Sequence, residues 1–197
     1  MTMEPLDLPV FAAEDAVVLH DRDYLLWLLH RLRGARKRVL VVQFIADLRP
    51  DADPHREVRA VATALAHAAD RRLDVRMVLS HFVSDRAALE PNRVFARWLA
   101  PRGVGLRLYG PREGSARKDM HSKFVLIDDL WVALGSHNWT VGAFGANHEQ
   151  SVALRSIDVA ARLRSTFEGL WATAQAPLPE PPSAAPVARP ADPGAPA

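Results

Sequence analysis

The stretch MHSKFVLIDDLWVALGSHNW, which runs from Met120 to Trp139, predicts the centre of the fold. Two apolar runs, FVLI and LWVAL, flank a pair of aspartates, Asp128 and Asp129. Aspartate tolerates the left-handed backbone that a two-residue hairpin turn requires. Both faces of the first run are apolar, which is typical of a strand in the middle of a sheet. The stretch therefore predicts a buried β-hairpin.

A loop made only of these two aspartates would fix which residues of the hairpin face each other. His121 would then lie opposite Ser136, and Lys123 opposite Leu134. Gly135, beside these pairs, allows neighbouring backbones to approach closely. A slip of one residue in the turn would change the partners but leave them at the same end of the hairpin.

Four polar groups gather at the open end of this hairpin: the imidazole of His121, the ammonium of Lys123, the hydroxyl of Ser136 and the amide of Asn138. Each of them is able to contact a phosphate. Asp128 differs, because seven residues of strand at roughly 3.3 Å each place it about 23 Å from His121. It can therefore neither orient that imidazole nor share a metal ion with it.

Helical and strand patterns alternate along the rest of the chain. The helix over residues 54–70 is predicted to open at Asp53 and Pro54, a cap and a first-turn residue. The alternation predicts the α/β class, with a mixed β-sheet flanked by helices on both sides. The predicted helices cover residues 21–35, 54–70, 92–99 and about 157–171, and the predicted strands cover residues 36–46, 73–82, 103–110 and 149–156.

Composition indicates a globular protein, since 49% of the 197 residues are hydrophobic and 24% are charged. Eight of the 15 prolines fall within residues 176–197. We therefore expect one domain over residues 1–175 and a disordered Pro/Ala-rich tail over 176–197. The chain has no cysteine, which excludes disulfides, a thiol nucleophile and thiolate metal sites. No apolar run is long enough for a transmembrane helix and the start of the chain is acidic, so we expect a cytoplasmic location.

Charge is unevenly distributed although the formal net charge is only +2. Residues 31–38 and 102–118 are basic, and they either form solvated faces and helix ends or attract a polyanion. Three aromatic residues of the hairpin region, Trp131, Trp139 and Phe144, could stack on bases, but a core position is the favoured interpretation.

The residues of the hairpin spell the pattern H-x-K-x(4)-D-x(6)-G-S-x-N, which resembles the HKD motif of the phospholipase D superfamily. The pattern matches at each position: His121, Lys123, Asp128, Gly135, Ser136 and Asn138. Downstream, Asn147 and Glu149 match the N-x-E that often follows in this superfamily. Only one H-x-K occurs, so the chain is similar to the single-motif, bacterial nuclease-like members.

The resemblance implies roles for the matching residues. His121 would be the nucleophile that forms a covalent phosphohistidine. Lys123 and Asn138 would hold nonbridging phosphate oxygens, with Ser136 close by. Glu149 would accept a hydrogen bond from a catalytic imidazole and fix its tautomer.

Two further residues, Asp128 and Gly135, have structural roles in this interpretation. Asp128 would tie the turn to its neighbours. Because single-motif members build one site from two chains, the resemblance also implies a homodimer with the active site on its two-fold axis. His121 of each subunit would then face one phosphate.

The predicted function is that of a metal-independent phosphodiesterase without a cofactor, an endonuclease that hydrolyses DNA or RNA. The first alternative is a phospholipase D-type hydrolase or phosphatidyltransferase that acts on phospholipid. The second is a nucleic-acid-binding subunit whose site is vestigial. A metal hydrolase built on His121, His137, His148, Asp128 and Glu149 is disfavoured, because Asp128 is remote and no metal-binding helix motif is present.

Overall fold

The computed structural model describes residues 9–48, 56–81, 86–110 and 119–176. The predicted helix cap at Asp53 and Pro54 and the predicted tail beyond Ala176 lie outside these residues.

One seven-stranded sheet organises the chain, with the strand order β1-β7-β6-β5-β2-β3-β4. The pairs of β2 with β3 and of β3 with β4 are parallel, and all the other pairs are antiparallel, so the sheet is mixed as predicted. The strands are β1 (Asp15–His20), β2 (Arg38–Gln43), β3 (Asp74–Ser80), β4 (Gly105–Tyr109), β5 (Phe124–Ile127), β6 (Trp131–Gly135) and β7 (Gln150–Arg155).

Helices cover both faces of this sheet, which confirms the predicted arrangement. The helices are α1 (Arg22–Gly34), α2 (Arg56–Asp70), α3 (Arg86–Leu99), α4 (Val141–Gly145) and α5 (Ile157–Thr173). The alternating side chains of β2 show the division, since Val39 and Val41 pack with α1, α2 and α3, whereas Leu40 and Val42 pack with α5. Among the described residues no helix combines the length and the apolar character needed to cross a membrane.

Three elements differ from the sequence prediction. β1 was not predicted, because it is an edge strand exposed over most of its length and lacks a clear alternation. The short helix α4 was also not predicted. α3 begins at Arg86 rather than at residue 92, so Pro91 lies inside the helix although proline usually marks a helix boundary.

The hairpin turn contains one more residue than expected. Asp128 and Asp129 both adopt a left-handed φ of 57°, and the amide of Leu130 donates to the carbonyl of Ile127 at 3.2 Å. However, Ile127 pairs with Trp131 in the β5–β6 ladder, so Leu130 is an additional, unpaired residue.

This extra residue makes the predicted pairing wrong by one position. Phe124, and not Lys123, lies opposite Leu134. The predicted pair of His121 with Ser136 is wrong for the same reason, since both residues lie outside the β5–β6 ladder that this register defines. The polar residues nevertheless remain at the predicted end of the hairpin.

Asp128 ties the turn to the start of β2. Its carboxylate accepts hydrogen bonds from the backbone amides of Arg36, Lys37 and Arg38 at 2.9, 2.7 and 3.1 Å. Asp129 forms ion pairs with the side chains of Lys37 and Arg38 instead. The two aspartates therefore hold the end of the sheet opposite to the polar cluster.

Candidate active site

The predicted site residues lie at one end of the strands, where β5 and β7 begin and β6 ends. His121 and Lys123 precede β5, Ser136 and Asn138 follow β6, and Glu149 precedes β7. A groove of about 600 Å³ is lined by His121, Lys123, Ser136 and Asn138. Ser136 and Glu149 line an adjoining cavity of about 510 Å³. The fold thus brings all five residues to one region.

His121 is held between an aromatic ring and an ammonium group. Its ring centre lies 4.3 Å from that of Phe44, just after β2. Lys123 Nζ lies 3.2 Å from His121 Nδ1 and 2.8 Å from the His121 carbonyl oxygen, and it is also 5.0 Å from the centre of the Phe44 ring. Sequence reasoning missed Phe44, because nothing in a buried strand pattern distinguishes a residue that supports a site.

Protonation of this pair follows from its surroundings. Burial and the charge of Lys123 both lower the pKa of His121, so the imidazole is neutral near pH 7. Burial also lowers the pKa of Lys123, and the charge of Glu149 opposes this effect. Since an ammonium only donates, Nδ1 accepts and Nε2 of His121 carries the hydrogen in this arrangement.

Glu149 is hydrogen-bonded within its own chain. It accepts from the hydroxyl of Ser136 and from Asn147 Nδ2 at 3.2 Å. The amide of Gln150 donates to Ser136 Oγ at 3.0 Å, which fixes the hydroxyl in this direction. His121 does not contact Glu149 in the described part of one chain, so the predicted bond from a catalytic imidazole stays a prediction.

Asn138 presents a donor to the groove. Its Oδ1 accepts from the backbone amide of Ile45 at 3.3 Å, which orients the side chain. Its Nδ2 donates to no acceptor among the described residues. An amide fixed at its oxygen and open at its nitrogen suits an anionic oxygen ligand.

Gly135 is required by the close approach of β6 and β7. A Cβ atom at this position would lie 2.3 Å from Ser151 Oγ and 2.5 Å from the carbonyl oxygen of Gln150. Any side chain would therefore push the end of β6, and with it Ser136, away from β7.

His137 lies between Ser136 and Asn138 in the chain, and its side chain is buried. Its ring stacks on Tyr24 with centres 4.4 Å apart. Nε2 lies 2.9 Å from the carbonyl oxygen of Asp21, and Nδ1 lies 2.7 Å from Ser151 Oγ. Burial lowers the pKa of His137, so we assign a neutral ring that donates from Nε2 and accepts at Nδ1.

The ligands of the alternative metal site are not assembled. Both ring nitrogens of His137 are engaged, and Asp128 binds backbone amides at the opposite end of the hairpin. His148 is exposed, 3.5 Å from Asp21. Over the described ranges, no three or more His, Asp or Glu residues are grouped so that they could hold a metal ion.

The basic segments contribute little charge to the groove where they are described. Lys37 and Arg38 pair with Asp129 at the far end of the sheet. Arg31 lies 3.5 Å from the centre of the Trp131 ring, and Arg107 lies 4.5 Å from that of Trp171. Residues 111–118 lie outside the described ranges. These arginines and lysines thus stabilise the fold.

The three hairpin-region aromatic residues belong to the protein interior, as favoured from the sequence. Trp139 and Phe144 are buried, and the indole nitrogen of Trp139 donates to the hydroxyl of Tyr24 at 3.1 Å. Trp131 is partly buried below Arg31. None of the three is placed to stack on a base.

Imidazole, ammonium, hydroxyl and amide groups, all of which are able to contact a phosphate, thus meet at one end of a mixed sheet. The family model described as "Cardiolipin synthase, PLD-like domain" matches residues 28–171. The chain therefore belongs to the phospholipase D-like family of phosphodiesterases.

Particular relatives are similar to this chain. Nuc from Salmonella typhimurium, described as a phospholipase D family member, is 20% identical with a TM-score of 0.63, and the match covers 82% of this chain and 97% of Nuc. NucT from Helicobacter pylori is also 20% identical, with a TM-score of 0.66. This match covers 82% of this chain and 98% of NucT. A mitochondrial cardiolipin hydrolase from Xenopus laevis is 38% identical over 52 residues, which span 26% of this chain and only 25% of that relative.

Proposed function

We propose that this protein is a metal-independent phosphodiesterase, an endonuclease that cleaves DNA or RNA through a phosphohistidine at a homodimeric site. The observation that carries the proposal is the groove in which His121, Lys123, Ser136 and Asn138 meet. Burial and Lys123 keep the imidazole neutral, so it is able to attack phosphorus without repulsion from the phosphodiester anion.

Phosphate binding would also prepare the imidazole. Lys123 and Asn138 are the donors that we assign to the nonbridging oxygens. A phosphate that draws the ammonium of Lys123 away from Nδ1 allows the ring hydrogen to move there, which exposes the lone pair of Nε2. A carboxylate is then needed to accept from Nδ1, and we assign Glu149 to this role.

The reaction requires two imidazoles. One of them must be neutral and the other must have taken up a proton before the first step. Nε2 of the neutral His121 bonds to phosphorus as the bond to the leaving oxygen breaks, and the protonated imidazole gives that oxygen its proton. Water then attacks phosphorus, the second imidazole takes a proton from the water, and the N–P bond breaks. We assign the second imidazole to His121 of the partner subunit, since the other described histidines do not line the groove.

An exposed apolar row supports the homodimer. Val18, Val152 and Leu134 lie side by side across β1, β7 and β6 in the register of the sheet. They are 56%, 37% and 39% exposed. Leu134 also lines the groove beside His121. A second copy packed on this row would cover apolar surface and stand next to the site.

Two similarities favour nucleic acid as the substrate. The structural match covers nearly all of Nuc and of NucT. The sequence resemblance connects single-motif members of the family with nucleases. The cytoplasmic location stays a prediction.

Phospholipid is the second candidate substrate. It is favoured by the identity with a mitochondrial cardiolipin hydrolase and by the description of the matching family model. The chemistry at phosphorus would be the same, and only the groups attached to the phosphate would differ.

A substrate panel in excess EDTA tests the proposal. Labelled single-stranded DNA, duplex DNA, RNA and cardiolipin vesicles are incubated with the wild-type protein, His121→Ala and His30→Ala. His30 is an exposed histidine on α1 and serves as the matched control. Nucleic-acid cleavage that survives EDTA and His30→Ala but is lost in His121→Ala supports the proposal. Turnover of cardiolipin alone supports the second candidate, and binding without turnover contradicts both.

A further inference from the structure

Asp21 has an unusual backbone at the junction of β1 and α1. Its φ is 44° and its ψ is −112°, a combination outside the regions that residues with a side chain normally occupy. Such a conformation persists only where the surrounding structure enforces it, and it is concentrated at functional sites.

Three hydrogen bonds enforce it. The amide of Asp21 donates to the carbonyl oxygen of Glu149 at 3.0 Å. The amide of Glu149 donates back to Asp21 Oδ1 at 2.8 Å. His137 Nε2 donates to the carbonyl oxygen of Asp21 at 2.9 Å. Asp21 therefore joins β7 to the loop that follows β6.

These contacts lead directly to the groove. Glu149, which Asp21 holds by both backbone groups, accepts from the hydroxyl of Ser136. His137, which holds the Asp21 carbonyl, lies between Ser136 and Asn138 in the chain. Asp21 itself lines the cavity that adjoins the groove at Ser136.

We propose that Asp21 is a positioning residue that holds the carboxylate of Glu149 against Ser136. This inference rests on the proposed function for its effect on turnover, while the geometric link between Asp21 and Glu149 is tested separately below. Sequence reasoning gave no indication of this role, because Asp21 and Glu149 are far apart in the chain and no motif joins them.

Three substitutions test separately the side-chain oxygen of Asp21 and its backbone conformation. Asp21→Asn retains a side-chain oxygen at the same distance and tolerates unusual backbone angles. Asp21→Ala removes the oxygen and keeps the strain, whereas Asp21→Gly removes both. Arg72→Gly is the matched control, since Arg72 also has a positive φ, of 63°, but lies in the turn between α2 and β3.

Turnover should distinguish these variants. We expect Asp21→Ala and Asp21→Gly to lower kcat by about 10- to 100-fold with little change in KM, as for other residues that orient a catalytic group. Asp21→Asn should restore most of kcat, and Arg72→Gly should leave it unchanged. A purely structural role would lower the melting temperature of Asp21→Ala without lowering the kcat of the folded fraction.

Amide hydrogen exchange at Glu149, followed by NMR, provides a readout that needs no substrate. The Glu149 amide should exchange slowly in the wild-type protein and in Asp21→Asn, and much faster in Asp21→Ala and Asp21→Gly. That result supports the inference even if every substrate is inert, in which case only the proposed function fails. Unchanged Glu149 exchange in Asp21→Ala overturns the inference. Wild-type kcat in both Asp21→Ala and Asp21→Gly, when His121→Ala is inactive, overturns it as well.

Discussion

Lys123 Nζ lies 3.2 Å from His121 Nδ1, and its charge lowers the pKa of that imidazole in addition to the effect of burial. Replacing Lys123 with methionine keeps the aliphatic stem but removes the charge. We therefore predict that the pKa of His121 rises in Lys123→Met, as measured by NMR titration of the ring C–H signals. Lys37→Met, which removes an exposed lysine paired with Asp129, should leave the titration unchanged. A His121 titration that is the same in wild type and Lys123→Met would contradict the assignment.

Gly135 provides a test of how closely β6 must approach β7. In Gly135→Ala the new Cβ would meet Ser151 Oγ at 2.3 Å, so we predict that the free energy of unfolding falls by about 3 kcal/mol. Gly145→Ala is the control, because nothing lies within 4 Å of a Cβ at that position. Equal chemical denaturation midpoints for the two variants would show that the strands do not pack as described.

Asp128 should matter for stability and not for turnover. Asp128→Ala leaves the amides of Arg36, Lys37 and Arg38 without their acceptor, and we predict a loss of about 2 to 3 kcal/mol in the free energy of unfolding. The neighbouring Asp129→Asn removes ion pairs near the surface and should cost less than about 1 kcal/mol. Urea denaturation measures both. The kcat of folded Asp128→Ala should equal that of wild type, and a large fall in kcat would place Asp128 in the reaction.

Stability should depend on pH through His137. Its pKa is lowered by burial in the folded state, whereas the unfolded chain takes up the proton near pH 6.5. The stabilisation is therefore complete above about pH 6.5 and is lost as the pH falls toward the lowered pKa, by at most about 1.4 kcal/mol per pH unit. We predict a smaller loss between pH 7.5 and 5.5 in His137→Gln than in wild type, measured by denaturant unfolding. His30→Gln should behave as wild type, and an unchanged slope in His137→Gln would contradict the prediction.

Local sequence patterns predicted the helices and strands in which buried positions recur regularly along the element. β2 and β5 are buried on both faces, and α2 carries one apolar stripe, so the composition of each segment matches its structure. β1 was not predicted, because an exposed edge strand needs no apolar face. Its position beside β7 also depends on a partner that is distant in the chain. The hairpin register failed for a different reason. The two aspartates do form the turn, but the sequence does not reveal that Leu130 is left unpaired.

The candidate site shows the same division between local and distant information. Fixed spacing within the hairpin was enough to single out His121, Lys123, Ser136 and Asn138. These residues flank the two strands of one hairpin, so its single turn brings them to the same end. The residues that orient them come from elsewhere. Phe44 reaches His121 from the end of β2, and no local pattern marks it as part of a site.

Mixed dimers test the central claim most directly, namely that two copies of His121 act on one phosphate. Wild-type protein and His121→Ala, carrying different affinity tags, are unfolded and refolded together in varied ratios, and nucleic-acid cleavage is measured in EDTA. Random pairing of equal amounts leaves about one quarter of the dimers with both imidazoles, so activity per total dimer should fall to about one quarter of the all-wild-type value. Activity that falls in simple proportion to the wild-type fraction, or full activity in a monomer confirmed by sedimentation, would contradict the shared site.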